Sequence, residues 1–245
     1  MRVLIANDDG IDAPGIWALV RAFAQAGHEV TVAAPDRQRS AASQSMTMDQ
    51  PISVCEQQVP GAVRAYAIGG TPVDCVKVAL NKLCPEAEFV VSGINRGYNV
   101  GSDVLYSGTV GAAMEGALCG RAAMAVSLSH EREDLYDLAA KAALDALPLM
   151  QHVPEYAVLN LNYPAADKVL GVKAVRLKRT QYLDEYVRSV DEHGQVFYTL
   201  ASGQFADMRE EDDDFTWLSR GYETLTILGY DMNHQAATAR LKEAL

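Results

Sequence analysis

The chain has 245 residues, of which 49% are hydrophobic and 22% charged, and its formal net charge is −11. That composition fits a globular chain of one large domain, or of one domain with a substantial appendage, and excludes wholesale disorder. The acidic balance argues against a nucleic-acid polymer as partner, because Arg37 and Arg39 form the densest basic pair near a candidate site and duplex DNA would be repelled.

Residues 2–7 read as a short buried strand. Only four apolar residues follow Arg2, too few for a secretory h-region, and no apolar run approaches the length of a bilayer span, so a cytoplasmic chain with no membrane partner is expected. Pro14 predicts a helix start, Ile16, Leu19, Val20 and Phe23 its apolar stripe, and Gly27 its end. His28 to Pro35 reads as the second strand. "VRAYAIGG" is strand-like, and "TPVDCVKVALNKLC" predicts a helix capped by Thr71 with Pro72 at its first position. "EFVVSGI" is a strand, Ser107 to Gly120 a helix, "AAMAVSL" a strand, residues 132–150 helical, and "YAVLNLN" a strand again. This alternation predicts an α/β fold: a Rossmann-like, doubly wound, mostly parallel sheet with helices on both faces.

From Val169 the texture changes. Apolar and polar residues alternate, and Glu192-His193-Gly194 makes a turn, so a long antiparallel hairpin protruding from the sheet is expected. The acidic run Arg209 to Asp214 reads as a solvated loop leading into a helix. "DFTWLSRGYETLTIL" then predicts a short helix followed by a strand, and residues 235–245 a terminal helix. The expected division is a catalytic core over 1–167 and, over 168–245, a hairpin and a C-terminal oligomerisation segment packing on the core and on neighbouring subunits. An isolated hairpin is marginal in water, so a homodimer or homotetramer is expected. Cys55, Cys75, Cys84 and Cys119 lack C-x-x-C spacing; the last three read as small buried hydrophobes in a reducing compartment.

In a doubly wound sheet, ligands sit beyond the carboxyl ends of the strands. Four polar, glycine-bearing segments fall there: 7–10, 35–40, 92–101 and 106–111. A single Asp after the first strand would read as a turn or a helix cap. Asp8 and Asp9 in succession, with Ser40 and Asn95 on the same rim, instead point to a divalent cation held by oxygen ligands. No His/Cys cluster competes, which disfavours tetrahedral zinc. Ser107, Gly108 and Thr109 open a helix where an anion is favoured, although this segment alone reads equally well as an ordinary N-cap. Gly93, Gly97 and Gly101 suit close approach of backbone to a ligand. Asp36 and Arg37 read as structural or substrate-steering, His28, His152 and His193 as surface residues, and Tyr98, Tyr106 and Tyr182 as residues able to stack on a base. There is no P-loop, no G-x-S-x-G elbow, and neither a G-x-G-x-x-G nor a D-x-D nucleophile after the first strand.

"NDDGIDAPGI", "VAAPDRQRSAAS", "GTPVDCV", "VVSGINRGYNVGSDVLYSGTVGAAMEG", "AVSL" and "DFTWLSRGYETLTIL" together resemble the SurE family, the stationary-phase survival proteins with nucleotidase activity. The resemblance implies a divalent-metal-dependent phosphatase of nucleoside 5'-monophosphates, with 3'-monophosphates as a further possibility, a protruding hairpin, and C-terminal exchange between subunits. It also implies one Mg²⁺ or Mn²⁺ per subunit on Asp8, Asp9, Ser40 and Asn95, with Asp8 and Asp9 catalytic. The phosphate loop then falls on Ser107, Gly108 and Thr109, with Gly97 and Asn99 nearby. Ala41 stands where the family carries Gly, and one methyl is expected to matter little. The rival reading is a non-enzymatic nucleotide- or metal-sensing module of the same fold; a sugar-nucleotide transferase would need a second Rossmann half, which the residues after Val169 do not supply.

Overall fold

The computed structural model describes residues 1–179, 182–205, 212–231, 233 and 235–245. Its strands are β1 (Arg2–Ala6), β2 (Glu29–Pro35), β3 (Val54–Gln57), β4 (Arg64–Ile68), β5 (Phe89–Arg96), β6 (Ala122–Leu128), β7 (Ala157–Tyr163), β8 (Val172–Ala174), β9 (Tyr182–Val190), β10 (Val196–Phe205) and β11 (Glu223–Gly229). Its α-helices are α1 (Pro14–Gln25), α2 (Pro72–Val78), α3 (Gly108–Leu118), α4 (Tyr136–Asp145), α5 (Asp214–Ser219) and α6 (Gln235–Ala244).

Nine strands form one sheet in the order β3-β4-β2-β1-β5-β6-β7-β11-β8. The six from β4 to β7 run parallel; β3 and β11 are antiparallel to their inner neighbours. From β1 the chain winds outward through β2 and β4, then returns to lay β5 on the other side of β1. That reversal opens a crevice at the carboxyl ends of β1 and β5, where an open α/β sheet takes its ligand. The parallel strands are apolar on both faces because helices cover both. On one face Ile16, Leu19, Val20 and Phe23 of α1, all fully buried, pack with α4 over Val3, Ile5, Val32, Val91 and Leu161. On the other, α2 and α3 cover Leu4, Ala33, Val90, Ala123 and Val158. Each fully buried side chain of this size stabilises the fold by about 1.5–3 kcal/mol relative to exposure.

Helix ends follow local chemistry. Thr71 caps α2 in a reciprocal box: its hydroxyl accepts from the Asp74 N–H and the Asp74 carboxylate accepts from the Thr71 N–H. The α-helical run stops at Val78 and continues as a wider π-turn over Ala79–Leu83. The helical stretch expected over 132–150 is broken into a 3-10 turn at Glu133–Leu135, α4, and a second 3-10 turn at Leu147–His152, where Pro148 lacks the N–H a longer helix needs.

Three expectations change. Residues after 167 do not all lie outside the core sheet: β11 pairs with β7 from Thr224↔Asn162 to Gly229↔Ala157, and β8 extends the sheet beyond it. The end of the acidic run is not solvated. Asp212 is exposed, but Asp213 and Asp214 are fully buried, their carboxylates accepting from backbone N–H groups; residues 209–211 lie outside the described part. Ala41 and Ser43 both have φ of +55°, so the methyl at 41 sits in the left-handed region that favours glycine.

The protruding hairpin is present. Among the described residues β9 and β10 pair only with each other, from Val190↔Val196 outward, and leave Tyr186, Val187, Tyr198 and Leu200 exposed. Among the described residues no helix is long and apolar enough to cross a membrane. Cys75 and Cys84 are buried, with burial pushing both thiols up, Cys84 to about 11; Cys119 is half-buried and Cys55 exposed.

Candidate active site

The apolar run of β1 ends in a turn built by Asn7. This fully buried side chain donates to the Gly10 carbonyl at 2.8 Å and accepts from the Gly10 N–H at 3.2 Å. Gly10 has φ of +100°, and a Cβ there would lie 3.2 Å from the Arg37 backbone, so only glycine fits the turn. Asp8 and Asp9 therefore stand at the apex. The loop after β2 is laced to the same turn: the Arg39 N–H donates to the Asp8 carbonyl at 2.7 Å and the Ile11 N–H to the Pro35 carbonyl at 3.0 Å. Ser40, the next residue, is exposed on this rim.

The Asp8 side chain is 6% exposed and faces the start of α3. The Thr109 hydroxyl donates to Asp8 Oδ1. A Cβ on Gly108 would meet Asp8 Cβ at 2.8 Å and Oδ2 at 2.9 Å. Burial pushes the Asp8 carboxyl up to about 6, with the Asp9 charge adding to it and the Thr109 hydrogen bond opposing it. Asp9 is half-buried; its oxygens accept from the Arg96 N–H at 3.1 Å and from Gln38 Nε2 at 3.3 Å, and burial raises its carboxyl too.

Asn95 sits where the β5–β6 register shifts between Ser92 and Asn95, the kind of irregularity that re-aims a side chain at a strand end. Its Nδ2 donates to the Gly97 carbonyl at 2.9 Å, which leaves Oδ1 as the side chain's acceptor. Gly97 is held by its N–H on the Leu128 carbonyl. Asn99 lies deeper, 4% exposed: its Nδ2 donates to Ser127 Oγ at 2.8 Å, its N–H to Asn162 Oδ1 at 2.9 Å, and its carbonyl accepts from Asn160 and Asn162 Nδ2. The structure thus brings Asp8, Asp9, Gly108 and Thr109 into direct contact or adjacency and turns Asn99 toward the sheet. Ser107 caps α3, its Oγ accepting from the Val110 N–H at 3.1 Å. The Gly108 and Thr109 N–H groups belong to the first turn, which has no intrahelical acceptors, at the positive end of the helix dipole. Tyr106 is exposed, Tyr98 is half-buried against Ser129 and the Ala165 backbone, and the side chain of Tyr182 lies outside the described residues.

The donor set suits a hard cation. Among the described residues no three His, Cys, Asp or Glu side chains gather as a metal site, so any cation here must add neutral oxygens to the Asp8–Asp9 pair. Asn95 Oδ1 and the Ser40 hydroxyl are of that kind. Burial raises both carboxylates, and the Arg96 charge offsets this only in part, at Asp9.

Residues that sequence reading missed hold the rim rather than form it. Asp74 accepts from Thr47 N–H and Thr47 Oγ1 as well as capping α2, and so ties the loop after Ser40 to the core; these bonds hold its carboxyl below the usual range despite burial. Asn160 and Asn162 clamp Asn99. Their signal was visible as alternating asparagines in the otherwise apolar "YAVLNLN".

Comparison with known proteins identifies the family and the fold. The sequence model described as "Survival protein SurE" matches residues 3–184. The chain is 41% identical to a protein named 5'-nucleotidase SurE from Synechococcus elongatus, covering 98% of both chains. It is 40% identical to one of the same name from Clostridium beijerinckii, covering 94% of both. The crystal structure of the SurE protein from Aquifex aeolicus superposes with a TM-score of 0.84 at 31% identity, covering 100% of this chain and 99% of that one. With a family match over most of its length, relatives near 40% identity end to end and the same sheet, this chain belongs to the SurE family.

Proposed function

We propose that this chain is a 5'-nucleotidase that hydrolyses nucleoside 5'-monophosphates, at a site made by Asp8, Asp9, Ser40, Asn95 and the Ser107–Thr109 start of α3. The relatives named above as 5'-nucleotidases support the reaction class. The observation that carries the site is the seating of the Asp8 carboxylate against Gly108 and Thr109. An acidic pair and an anion-binding helix start meet there, an arrangement that phosphate and a counter-cation would complete together.

Asp8, Asp9, Ser40 and Asn95 would hold one Mg²⁺ or Mn²⁺, which when bound supplies Lewis-acid neutralisation of phosphate charge. The first-turn N–H groups of α3 bind phosphate oxygens, helped by the helix dipole. Asp8, oriented by Thr109, holds the attacking water in line with phosphorus and takes its proton. The ester oxygen leaves on the opposite side and takes up a proton from solvent, and Asp8 then gives its own proton back to solvent. Asp9, fixed by Arg96 N–H and Gln38, is kept from swinging away. Gly97 and Asn99 shape the approach, Asn99 by fixing the loop from below.

A cytoplasmic homodimer or homotetramer is part of the same reading. The association of subunits is supported by the exposed apolar residues of the hairpin and by a cavity of about 1080 Å³ lined by Ser107, Met114 and Leu118 and by Ile227 and Tyr230. The test is phosphate release from a nucleoside 5'-monophosphate with Mn²⁺ or Mg²⁺. Activity lost with EDTA and in Asp8→Asn is expected; nucleotide binding without phosphate release would make the chain a sensing module.

A further inference from the structure

The segment from Asn95 to Ser107 joins the two halves of the proposed site, and Gly101 is its midpoint. Gly101 is held from far along the chain: its N–H donates to Asp214 Oδ2 at 2.9 Å, across 113 residues. Asp214 is fully buried at the start of α5. Its Oδ1 accepts from the Lys178 N–H at 2.9 Å and the Phe215 N–H at 2.8 Å, and its own N–H donates to the Arg176 carbonyl. One carboxylate thus ties together the joining segment, the chain leading into β9, and the first turn of α5. Asp213, equally buried, bridges to Arg176 through its backbone, but among the described residues its carboxylate only caps α5, accepting from the Thr216 N–H at 2.8 Å. A buried carboxylate on three backbone donors is expensive to place unless all three are made, so the junction is held as a unit.

We propose that Asp214 is a positioning residue: by fixing Gly101 it sets the separation of Asn95 from Ser107–Thr109, and it couples that separation to the root of the hairpin at Lys178. This rests on the reading of Asn95 and Ser107–Thr109 as site residues. Its effect is on geometry at the reacting centre, where small misplacements cost large factors in rate.

The test compares Asp214→Asn with Asp213→Asn in the full chain. Asparagine keeps one oxygen for Lys178 and Phe215 but presents an NH₂ to the Gly101 N–H. With Mn²⁺, Asp214→Asn is expected to lower kcat about ten- to hundredfold on both a nucleoside 5'-monophosphate and p-nitrophenyl phosphate, with KM changed little. Amide exchange should rise across residues 97–107. Both variants are expected to lower the melting temperature by a similar amount, while Asp213→Asn leaves kcat and exchange at 97–107 unmoved. Should Asp214→Asn not fold, Asp214→Ser, too short to reach Gly101, takes its place with the same expectations. Equal loss of kcat in both variants, or faster exchange with unchanged kcat, overturns the positioning role. A wild-type chain that releases no phosphate overturns the underlying function and this role with it; the exchange difference separates that failure from a failure of the tether.

Discussion

Thr109 and Asp8, 101 residues apart in the chain, share a hydrogen bond in which the Thr109 hydroxyl donates to Asp8 Oδ1. Thr109 is fully buried, so its methyl and hydroxyl have fixed directions. Thr109→Val keeps the shape and removes the donor. Phosphatase kcat should fall about ten- to hundredfold with KM little changed, whereas Asp8→Asn should cost about 10³-fold. Steady-state phosphate release measures both; wild-type kcat in Thr109→Val would mean that the hydroxyl does not orient Asp8.

Gly108 should tolerate no side chain. The Cβ of Gly108→Ala would come within 2.8 Å of Asp8 Cβ, closer than real contacts permit, and 3.1 Å of Pro72 Cγ, a tight one. The helix itself would gain slightly from alanine. Activity should therefore fall at least about a hundredfold while the melting temperature moves by only a few degrees. Equal, small effects on both would show that Asp8 yields without consequence.

Metal addition should stabilise the chain through the acidic pair. Mn²⁺ at a hundred times its dissociation constant should raise stability by about 2.7 kcal/mol, read as an upward melting shift that EDTA reverses. Asp9→Asn should abolish most of that shift. A full shift retained in Asp9→Asn places the cation elsewhere.

The loop after Ser40 carries strain that one substitution relieves. Ala41 has φ of +55° and is exposed, so Ala41→Gly removes a left-handed penalty and touches little else. Relief of about 1–2 kcal/mol, less the entropy that glycine adds to the unfolded chain, leaves a gain of about 0.5–1 kcal/mol. Chemical denaturation reads it; a loss of stability would contradict the strain.

What could be read from sequence was what local pattern encodes. The apolar run of β1, the Pro14 helix start, the Thr71 and Ser107 caps and the turn at Glu192–Gly194 each depend on neighbours within a few residues, and each is where it was expected. β3 and β8 were missed because four exposed residues and three carry no usable period. The inward turn of Asn99 and the burial of Asp213 and Asp214 were illegible for a different reason. Their partners, Asn160, Asn162, Gly101 and Lys178, are distant in sequence, and an acidic run reads as solvated until a fold supplies its donors.

Glu223 gives the chain a pH dependence of stability away from the site. It opens β11 at 7% exposure, facing Lys141 and Asp145 of α4 and Tyr163 of β7, with Lys141 already paired to Asp145. Burial first, then the Asp145 charge, pushes its carboxyl up to about 7 from 4.5. The folded state therefore holds this proton more tightly than the unfolded one. Stability from this group is fully present below about 4.5 and is lost as pH rises through 7. Glu223→Gln removes the penalty, so at pH 8 it should be more stable than the wild type by about 1–3 kcal/mol, and the gain should shrink toward pH 5. Melting temperatures across that range decide it: a gain that stays constant with pH would show that Glu223 ionises normally in the fold.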